Sequence, residues 1–239
     1  MLAARLLQVG LSPVLALQAL MVIARTPKLP EAGGVRCGRV GCGPVLRLLI
    51  VGDSSAAGVG VRDQSEALSG QLIAPLSRHC TVDWHLVAMT GMTTRAMPEH
   101  LRRSCQGDFD VAVTALGVND VTRLVNPDKW VAQTRAFHQM LRRDYGIEHI
   151  FVTSVPPMGR FPALPFPLSG VLGAHAEAMR SALDEELKTQ EACRLVDPGF
   201  QLDPEMMARD GFHPGPALYA RWGEVMARQI RDDLAIKDQ

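Results

Sequence analysis

The sequence predicts an α/β fold in which helices cover both faces of a parallel sheet. Five short apolar runs alternate with longer stretches in which apolar residues recur at helical spacing. The chain has 239 residues, of which 47% are hydrophobic, so it can fill a core and is not disordered. We find no internal repeat and no pattern that indicates a second globular domain.

Charge and cysteine content exclude two classes of protein. Twenty-five basic residues balance 25 acidic residues, which argues against a protein that binds nucleic acid through bulk charge. Five cysteines in a chain of this length do not form a disulfide scaffold, because an odd number cannot all pair. The composition is that of an ordinary globular protein.

The chain begins with an apolar stretch, Leu6 to Ala24, that holds no charged residue. A membrane-spanning helix needs about 20 apolar residues, and Pro13 and three polar residues weaken this stretch. The Ala24-Arg25-Thr26 sequence that follows is a poor signal-peptidase site. Three interpretations remain open: an uncleaved membrane anchor, a helix lying in the membrane interface, and an apolar helix docked on the protein.

The basic residues are concentrated near the N-terminus. Residues 1–47 contain six basic residues and one acidic residue, a net charge of +5, which leaves −5 for the rest of the chain. This asymmetry predicts a cytoplasmic protein whose residues 1–25 associate with the inner face of the cytoplasmic membrane, and a solvated basic linker is the alternative. Lys28 to Pro44 is rich in Gly and Pro, so we expect a helix and linker over residues 1–44 and a globular domain over residues 45–239.

The strands and helices of the domain follow from the apolar pattern. The first run is closed by Gly52 and has the continuous apolar character of a buried strand. The five predicted strands are Val45–Val51, Val82–Val87, Val111–Leu116, His149–Val155 and Arg194–Val196. The predicted helices are Ser65–His79, Thr93–Cys105, Asp128–Tyr145, Ser169–Gln190 and Pro216–Leu234. In such a sheet, functional groups gather at the carboxyl ends of the strands.

A loop follows the fourth strand. Five prolines lie between Pro156 and Pro167, a density that excludes a helix or a central strand. The loop is therefore expected on the same rim as the functional groups. It is either a wall that shapes the substrate site or a rigid connector.

The first chemical motif, Gly52-Asp53-Ser54, ends the first strand. A serine at this place points into the crevice, and its N–H at the start of a helix can stabilise an oxyanion. The alternative is that Ser54 only caps the helix.

The second motif, Asp210-Gly211-Phe212-His213, precedes the last helix. A nucleophilic serine needs a base, and that base needs a carboxylate to orient it. A spacing of three residues in a turn lets the carboxylate reach one ring nitrogen of the histidine. The pair alone is a weak signal, since Asp and His often meet in surface turns.

Two further segments supply candidate hydrogen-bond donors. Asn119 follows the third strand, where its amide can donate to a developing negative charge, and Gly91 follows the second strand with an unobstructed N–H. Each is also a common loop residue on its own.

Taken together and in this order, the four segments resemble the SGNH (GDSL-type) hydrolase family. The matching blocks are Gly52-Asp53-Ser54, Gly91, Gly117-Val118-Asn119-Asp120 and Asp210-Gly211-Phe212-His213. Ser55 stands where the family name has Leu, a position that varies in the family. Position 56 is Ala, so the G-x-S-x-G elbow of the other large serine-esterase fold is missing.

The resemblance implies a flavodoxin-like three-layer α/β/α sandwich with a five-stranded parallel sheet. It also implies hydrolysis of acyl esters through an acyl-enzyme, with Ser54 as nucleophile, His213 as base and Asp210 as the orienting carboxylate. The implied oxyanion hole consists of the N–H groups of Ser54 and Gly91 and the side chain of Asn119. This chemistry needs no metal or other cofactor.

Several other residues have weaker signals. Asp53, Met92, Met158 and Phe161 are candidates for substrate binding, although ordinary packing explains the apolar ones equally well. The sequence has no H-E-x-x-H and no C-x-x-C motif, so we expect no metal site. Cys80, Cys105 and Cys193 are expected to be buried.

The sequence is also compatible with functions other than simple ester hydrolysis. The apolar N-terminus favours a thioesterase or lysophospholipase acting on lipid acyl chains. A sugar-ester deacetylase is a third option, but the sequence shows no aromatic-rich segment that would bind a sugar. A flavodoxin-like phosphate- or nucleotide-binding module is the alternative outside the enzymes, with Gly52–Gly60 around a phosphate. It leaves Asn119 and His213 without a role.

Overall fold

The computed structural model describes the backbone of residues 2–200 and 203–236, and the side chains of residues 13–200 and 203–236. Within this part of the chain, one sheet contains the strands Cys37–Val40 (β1), Val45–Gly52 (β2), Thr81–Ala88 (β3), Val111–Ala115 (β4), His149–Thr153 (β5) and Cys193–Val196 (β6). Their spatial order is β1-β3-β2-β4-β5-β6. The five predicted strands are parallel, as expected, and β1 is an additional antiparallel strand at one edge.

The three central strands of the sheet end at the same level. Gly52 at the end of β2 is paired with Ala88 of β3 and with Ala115 of β4. Because parallel strands share one direction, the loops that follow these residues leave the sheet at one edge. This register brings three of the four predicted site segments to a common rim.

The core lies on both faces of the sheet. Leu48 and Ile50 of β2 belong to one buried apolar cluster, and Leu49 and Val51 belong to the other. Successive side chains of a strand point to opposite faces, so a strand covered on both sides must be apolar at every position. This explains why β2 is a continuous apolar run.

Helices cover both faces of the sheet, as the alternating pattern predicts. They are Leu2–Arg25 (α1), Leu68–Leu76 (α2), Met97–Ser104 (α3), Val118–Thr122 (α4), Pro127–Tyr145 (α5), Leu168–Leu187 (α6) and Pro216–Asp233 (α7). Helices α2 and α7 pack on one face, and α3, α5 and α6 pack on the other. The sequence did not predict α4, since five residues are too few to show a helical period.

Strand β1 lies in the segment that the sequence assigns to a linker. It has four exposed residues and no apolar run, so its sequence gives no strand signal. Tertiary contact explains it: Gly38 pairs with Trp84 of β3, and a Cβ at Gly38 would lie 3.2 Å from the indole nitrogen of that tryptophan. The absent side chain lets the two strands approach.

Helix α1 docks on the globular domain. Leu15, Ala19 and Val22 pack against the core cluster that contains α6. Gln18 donates from Nε2 to the Phe166 carbonyl (2.7 Å) and accepts from the Leu168 N–H (3.1 Å). No helix among the described residues has both the length and the apolarity needed to span a membrane.

The proline-rich loop after β5 lies beside the last predicted motif. The Ala163 N–H donates to the Gly211 carbonyl at 3.1 Å. The rings of Phe161 and Phe212 meet edge to face, with centroids 5.1 Å apart. The loop is therefore on the expected rim, next to the turn that contains His213.

Candidate active site

Ser54 lies immediately beyond the end of β2, in a turn that the preceding backbone fixes. The Asp53 N–H donates to the Ala115 carbonyl of β4, and the Asp53 carbonyl accepts from the Ala57 N–H, both at 3.0 Å. The expected helix after Ser54 is not formed, and residues 54–60 form successive turns instead. Gly58 (φ +81°) and Gly60 (φ +112°) have left-handed backbone conformations that a helix cannot contain.

Ser54, His213 and Asp210 form a continuous hydrogen-bonded chain. The His213 Nε2 lies 2.9 Å from the Ser54 hydroxyl, and the His213 Nδ1 lies 2.6 Å from Asp210 Oδ2. Because the carboxylate accepts from Nδ1–H, Nε2 is left to accept the serine proton. The structure therefore brings together residues that are 159 positions apart in sequence.

Asp210 is held in its ionised form. Burial disfavours the charge, but hydrogen bonds from the His213 side chain and from the N–H groups of His213 and Phe212 outweigh it and lower the pKa of Asp210. The two backbone bonds, at 2.9 and 3.0 Å, occupy Oδ1 and leave Oδ2 for the imidazole. The local turn thus fixes the carboxylate in the orientation that a histidine base requires.

Asn119 lies at the start of α4, beside Asp53. Its Nδ2 donates to Asp53 Oδ2 (3.2 Å) and to the Met92 carbonyl (3.1 Å). Both hydrogens of this amide are therefore bonded within the protein. Asp53 also accepts from the N–H and hydroxyl of Ser55, and burial raises the pKa of this carboxyl group despite those bonds.

Gly91 lies in the loop after β3, which contacts Asn119 through Met92. Its backbone is left-handed (φ +80°), and apart from its chain neighbours no described residue has an atom within 4 Å of the place a Cβ would occupy. The loop is fixed on its other side by Asp120, which accepts from the N–H and hydroxyl of Thr94 at 3.0 and 2.9 Å.

Two residues that support the site were not singled out from the sequence. Asp120 had a signal, because it directly follows Asn119 in the third motif. Tyr219 of α7 had none: it is fully buried, and its hydroxyl lies 2.8 Å from the carbonyl oxygens of Ser55 and Val59. It secures the turn that contains Ser54.

A cavity of about 560 Å³, counting its open mouth, adjoins Ser54 and His213. Its walls are mainly apolar and include Leu116, Val118, Phe161, Phe212, Leu218 and Trp222. Two atoms of wall residues, Thr153 Oγ1 and Trp222 Nε1, are buried without a hydrogen-bond partner in the described part of the chain.

The substrate-binding candidates differ in position. Asp53 and Phe161 line this cavity. Among the described residues, Met92 and Met158 are not part of its wall: both are buried in the core cluster on the α6 side of the sheet. Packing explains these two methionines, because apolar side chains beneath a functional rim complete the core.

The cysteines are placed as expected. Cys80, Cys105 and Cys193 are buried, whereas Cys37 and Cys42 are exposed. Burial raises the pKa of each of the three buried thiols, which makes them poor nucleophiles.

Comparisons with known proteins agree with this geometry. The model of the GDSL-like lipase/acylhydrolase family matches residues 50–221. No curated protein sequence matches the chain.

Solved structures share the fold at low sequence identity. A family 2 carbohydrate esterase from Corynascus thermopiles (Myceliophthora fergusii) has a TM-score of 0.64 at 20% identity, over 82% of this chain and 69% of that chain. The esterase EstA from Pseudoalteromonas sp. has a TM-score of 0.59 at 17% identity, over 79% and 98%. TesA has a TM-score of 0.60 at 20% identity, over 78% and 98%.

The family match covers well over half of the chain and includes all four motifs. The chain belongs to the GDSL-like lipase/acylhydrolase family, as an SGNH-type serine ester hydrolase for small-molecule or lipid esters.

Proposed function

We propose that Ser54 is the nucleophile of this esterase and that His213 and Asp210 activate it. The observation that supports this most directly is the hydrogen-bonded chain from the Ser54 hydroxyl through His213 to Asp210. In the first step, His213 Nε2 takes the hydroxyl proton while Ser54 Oγ bonds to the ester carbonyl carbon. Asp210 stabilises the imidazolium that results.

The carbonyl oxygen becomes an oxyanion in this step. We assign its stabilisation to the N–H groups of Ser54 and Gly91 and to the Asn119 amide. His213 then gives its proton to the oxygen of the leaving alcohol as the ester C–O bond breaks, which leaves an acyl group on Ser54. Water, activated by the same imidazole, attacks the acyl-enzyme, and the Ser54 oxygen leaves and is reprotonated.

Replacement of the nucleophile tests the assignment. Ser54→Ala should lose nearly all hydrolysis of p-nitrophenyl acetate, because no other hydroxyl is bonded to His213 among the described residues. Ser77→Ala is a matched control, since that hydroxyl donates to the Ala74 carbonyl on α2, and it should keep the parent rate. A Ser54→Ala enzyme as fast as the parent would refute the assignment.

The cavity beside Ser54 suits the acyl part of the substrate. Its walls are mainly apolar and carry a few polar groups beside Ser54, as is usual for small-ligand sites. We propose simple carboxylic esters with short acyl chains as substrates. A series of p-nitrophenyl esters from acetate to palmitate tests this: activity should fall beyond short chains, and a steady rise with chain length contradicts it.

A second candidate, a thioesterase or lysophospholipase, is favoured by the exposed face of α1. Val14, Leu17, Leu20 and Ile23 recur every third residue along the helix and are 44 to 69% exposed. Phe166, whose carbonyl accepts from Gln18 of α1, is 83% exposed. Activity on lysolipid or acyl-CoA that exceeds activity on simple esters would establish this candidate.

The same face supports association with a membrane. An apolar helix face followed by Arg25 and Lys28 is suited to lie on an anionic bilayer, and basic residues after an apolar helix favour the cytoplasmic side. We propose that α1 binds the enzyme to the inner face of the cytoplasmic membrane.

Vesicle flotation tests the membrane proposal. The full chain should float with phosphatidylglycerol vesicles, and Leu17→Gln with Leu20→Gln should abolish flotation without loss of esterase activity. Point substitutions are preferable to deletion of residues 1–44, which would also remove β1. Equal flotation of the parent and the double variant would reject the proposal.

A further inference from the structure

The segment Glu31–Arg36, between α1 and β1, contacts two loops of the candidate site. It lies outside the residues that the family model matches, which begin at residue 50. One of these loops follows β3 and contains Gly91, and the other follows β2 and contains Ser54. The segment is therefore placed to influence both halves of the site.

Glu31 binds the residue that precedes Gly91. Its Oε1 accepts from the Thr90 N–H at 2.7 Å and from the Thr90 hydroxyl at 2.8 Å. Its Oε2 accepts from Arg36 at 2.7 Å, and the same guanidinium donates to the Ala88 carbonyl at 2.9 Å. Burial opposes the charge of Glu31, but these bonds lower its pKa and keep it ionised.

The next residue of the segment binds the turn that follows Ser54. The Ala32 N–H donates to the Ala57 carbonyl at 3.1 Å. The side-chain amide of Gln64, which is buried, donates to the carbonyls of both Ala32 and Ala57 at 3.2 and 3.0 Å. The segment thus joins the nucleophile turn to the Gly91 loop.

Among the described residues, Gly91 itself has one hydrogen bond, in which its carbonyl accepts from the Arg123 guanidinium at 3.4 Å. Apart from its chain neighbours, no described residue has an atom within 4 Å of the place its Cβ would occupy, and its left-handed backbone has no side chain to restrain it. Its neighbours make the other contacts: Thr90 is held by Glu31, the Met92 N–H donates to the Met89 carbonyl at 3.2 Å, and the Met92 carbonyl accepts from Asn119 at 3.1 Å. Loss of the Glu31 contact leaves the Thr90–Gly91 peptide, which carries the Gly91 N–H, without its anchor at Thr90.

We propose that Glu31, held by Arg36, is a positioning residue that directs the Gly91 N–H toward the oxyanion. The inference rests on the proposed function, because it takes Gly91 as an oxyanion donor. The alternative is that Glu31 only attaches the segment to the domain. The two differ in the kinetic constant they affect: a misdirected donor lowers kcat, since the oxyanion exists only after Oγ attacks.

The test compares Glu31→Ala with Glu31→Gln in the full chain, with p-nitrophenyl acetate as substrate. Glu31→Ala should lower kcat about tenfold or more with little change in KM, within the range for weakened oxyanion stabilisation. Glu31→Gln keeps an oxygen that accepts from Thr90 and should restore kcat to within about threefold of the parent. Thr90→Val, which removes one bond only, should give a smaller loss and provides a milder variant if Glu31→Ala fails to fold.

Asp110→Asn is the matched control. Like Glu31, Asp110 accepts from a backbone N–H and from a guanidinium, but both belong to Arg47 and lie at the opposite end of the strands. It should lower the melting temperature without a change in kcat. The inference is overturned if Glu31→Ala keeps the parent kcat, or if Asp110→Asn lowers kcat equally. Ser54→Ala separates the two claims: if it is active, the proposed function fails, and if it is inactive while Glu31→Ala is unimpaired, only this inference fails.

Discussion

The Asn119 amide uses both of its hydrogens inside the protein before any substrate binds. Asp53 and the Met92 carbonyl accept them at 3.2 and 3.1 Å, at the long end of the range for such bonds. A substrate oxyanion is a stronger acceptor than a neutral carbonyl, so it can compete for one of these hydrogens. The two contacts therefore fix the direction of the amide, and the proposed oxyanion would take over one of its two hydrogens.

Asn119→Ala should lower kcat about 100- to 1,000-fold, the usual cost of one lost oxyanion donor. Asn126→Ala provides the comparison, because Asn126 caps α5 by accepting from the Lys129 N–H. It should cost about 1 kcal/mol of stability and leave turnover unchanged. Steady-state kinetics and urea unfolding of both variants check this, and an Asn119→Ala enzyme within a few-fold of the parent contradicts the role.

At the scale of elements, apolar runs predicted the strands well where both faces are buried. β2, β3 and β4 begin and end within one or two residues of the predicted positions, because burial on both faces enforces a continuous apolar sequence. β1 was not predicted because pairing with β3, and not its own sequence, makes it a strand. The turn after Ser54 was not predicted either, because two glycines in left-handed conformation replace the expected helix with turns.

The sequence predicted the site residues at the rim of the sheet, but not the residues packed beneath that rim. Ser54, Asn119, Asp210 and His213 follow strands or precede the last helix, and this placement signals their convergence. Met92 and Met158 show the limit: an apolar residue near a site has the same sequence signature whether it lines a cavity or the core beneath. Glu31 and Tyr219 act through contacts between distant segments that no local pattern reveals.

Gly60 connects the nucleophile turn to the histidine turn. Its φ is +112°, and a Cβ there would lie 2.2 Å from the Pro214 carbonyl oxygen, directly after His213. Gly60→Ala should therefore displace this backbone, lowering both stability and kcat, the latter about tenfold or more because His213 moves from Ser54. Thermal unfolding and ester hydrolysis measure the two effects.

Gly107→Ala is the control that measures the cost of a positive φ alone, without a steric clash that displaces a neighbouring backbone. Gly107 also has a positive φ (+123°), but no described atom lies within 4 Å of its Cβ direction. It should cost about 1–2 kcal/mol of stability and leave kcat unchanged. If Gly60→Ala behaves in the same way as Gly107→Ala, the proposed coupling between the two turns is wrong.

At the scale of the whole molecule, a buried histidine ties folding stability to pH. His138 of α5 is 1% exposed, and burial lowers its pKa to about 4 even though Gln190 accepts from its ring. The unfolded chain binds this proton near pH 6.5, whereas the folded protein does not. As the pH falls from about 6.5 toward 4, the unfolded state gains protons first and stability is lost.

Unfolding in urea at pH 7.5 and pH 5.0 tests this dependence. The parent should lose about 2 kcal/mol of stability between the two values because of the shift of His138. His138→Gln removes the titrating ring and should show a smaller loss over the same interval. An identical loss in parent and variant assigns the pH dependence to other groups.

The central claim is that the Ser54 oxygen carries the acyl group during turnover. Treatment of the active enzyme with a fluorophosphonate, followed by peptide mass spectrometry, tests it most directly. We expect one phosphonate on the peptide that contains Ser54, with fragment ions that exclude Ser55 and loss of labelling in His213→Ala. Modification of a different serine, or inactivation with Ser54 unmodified, contradicts it.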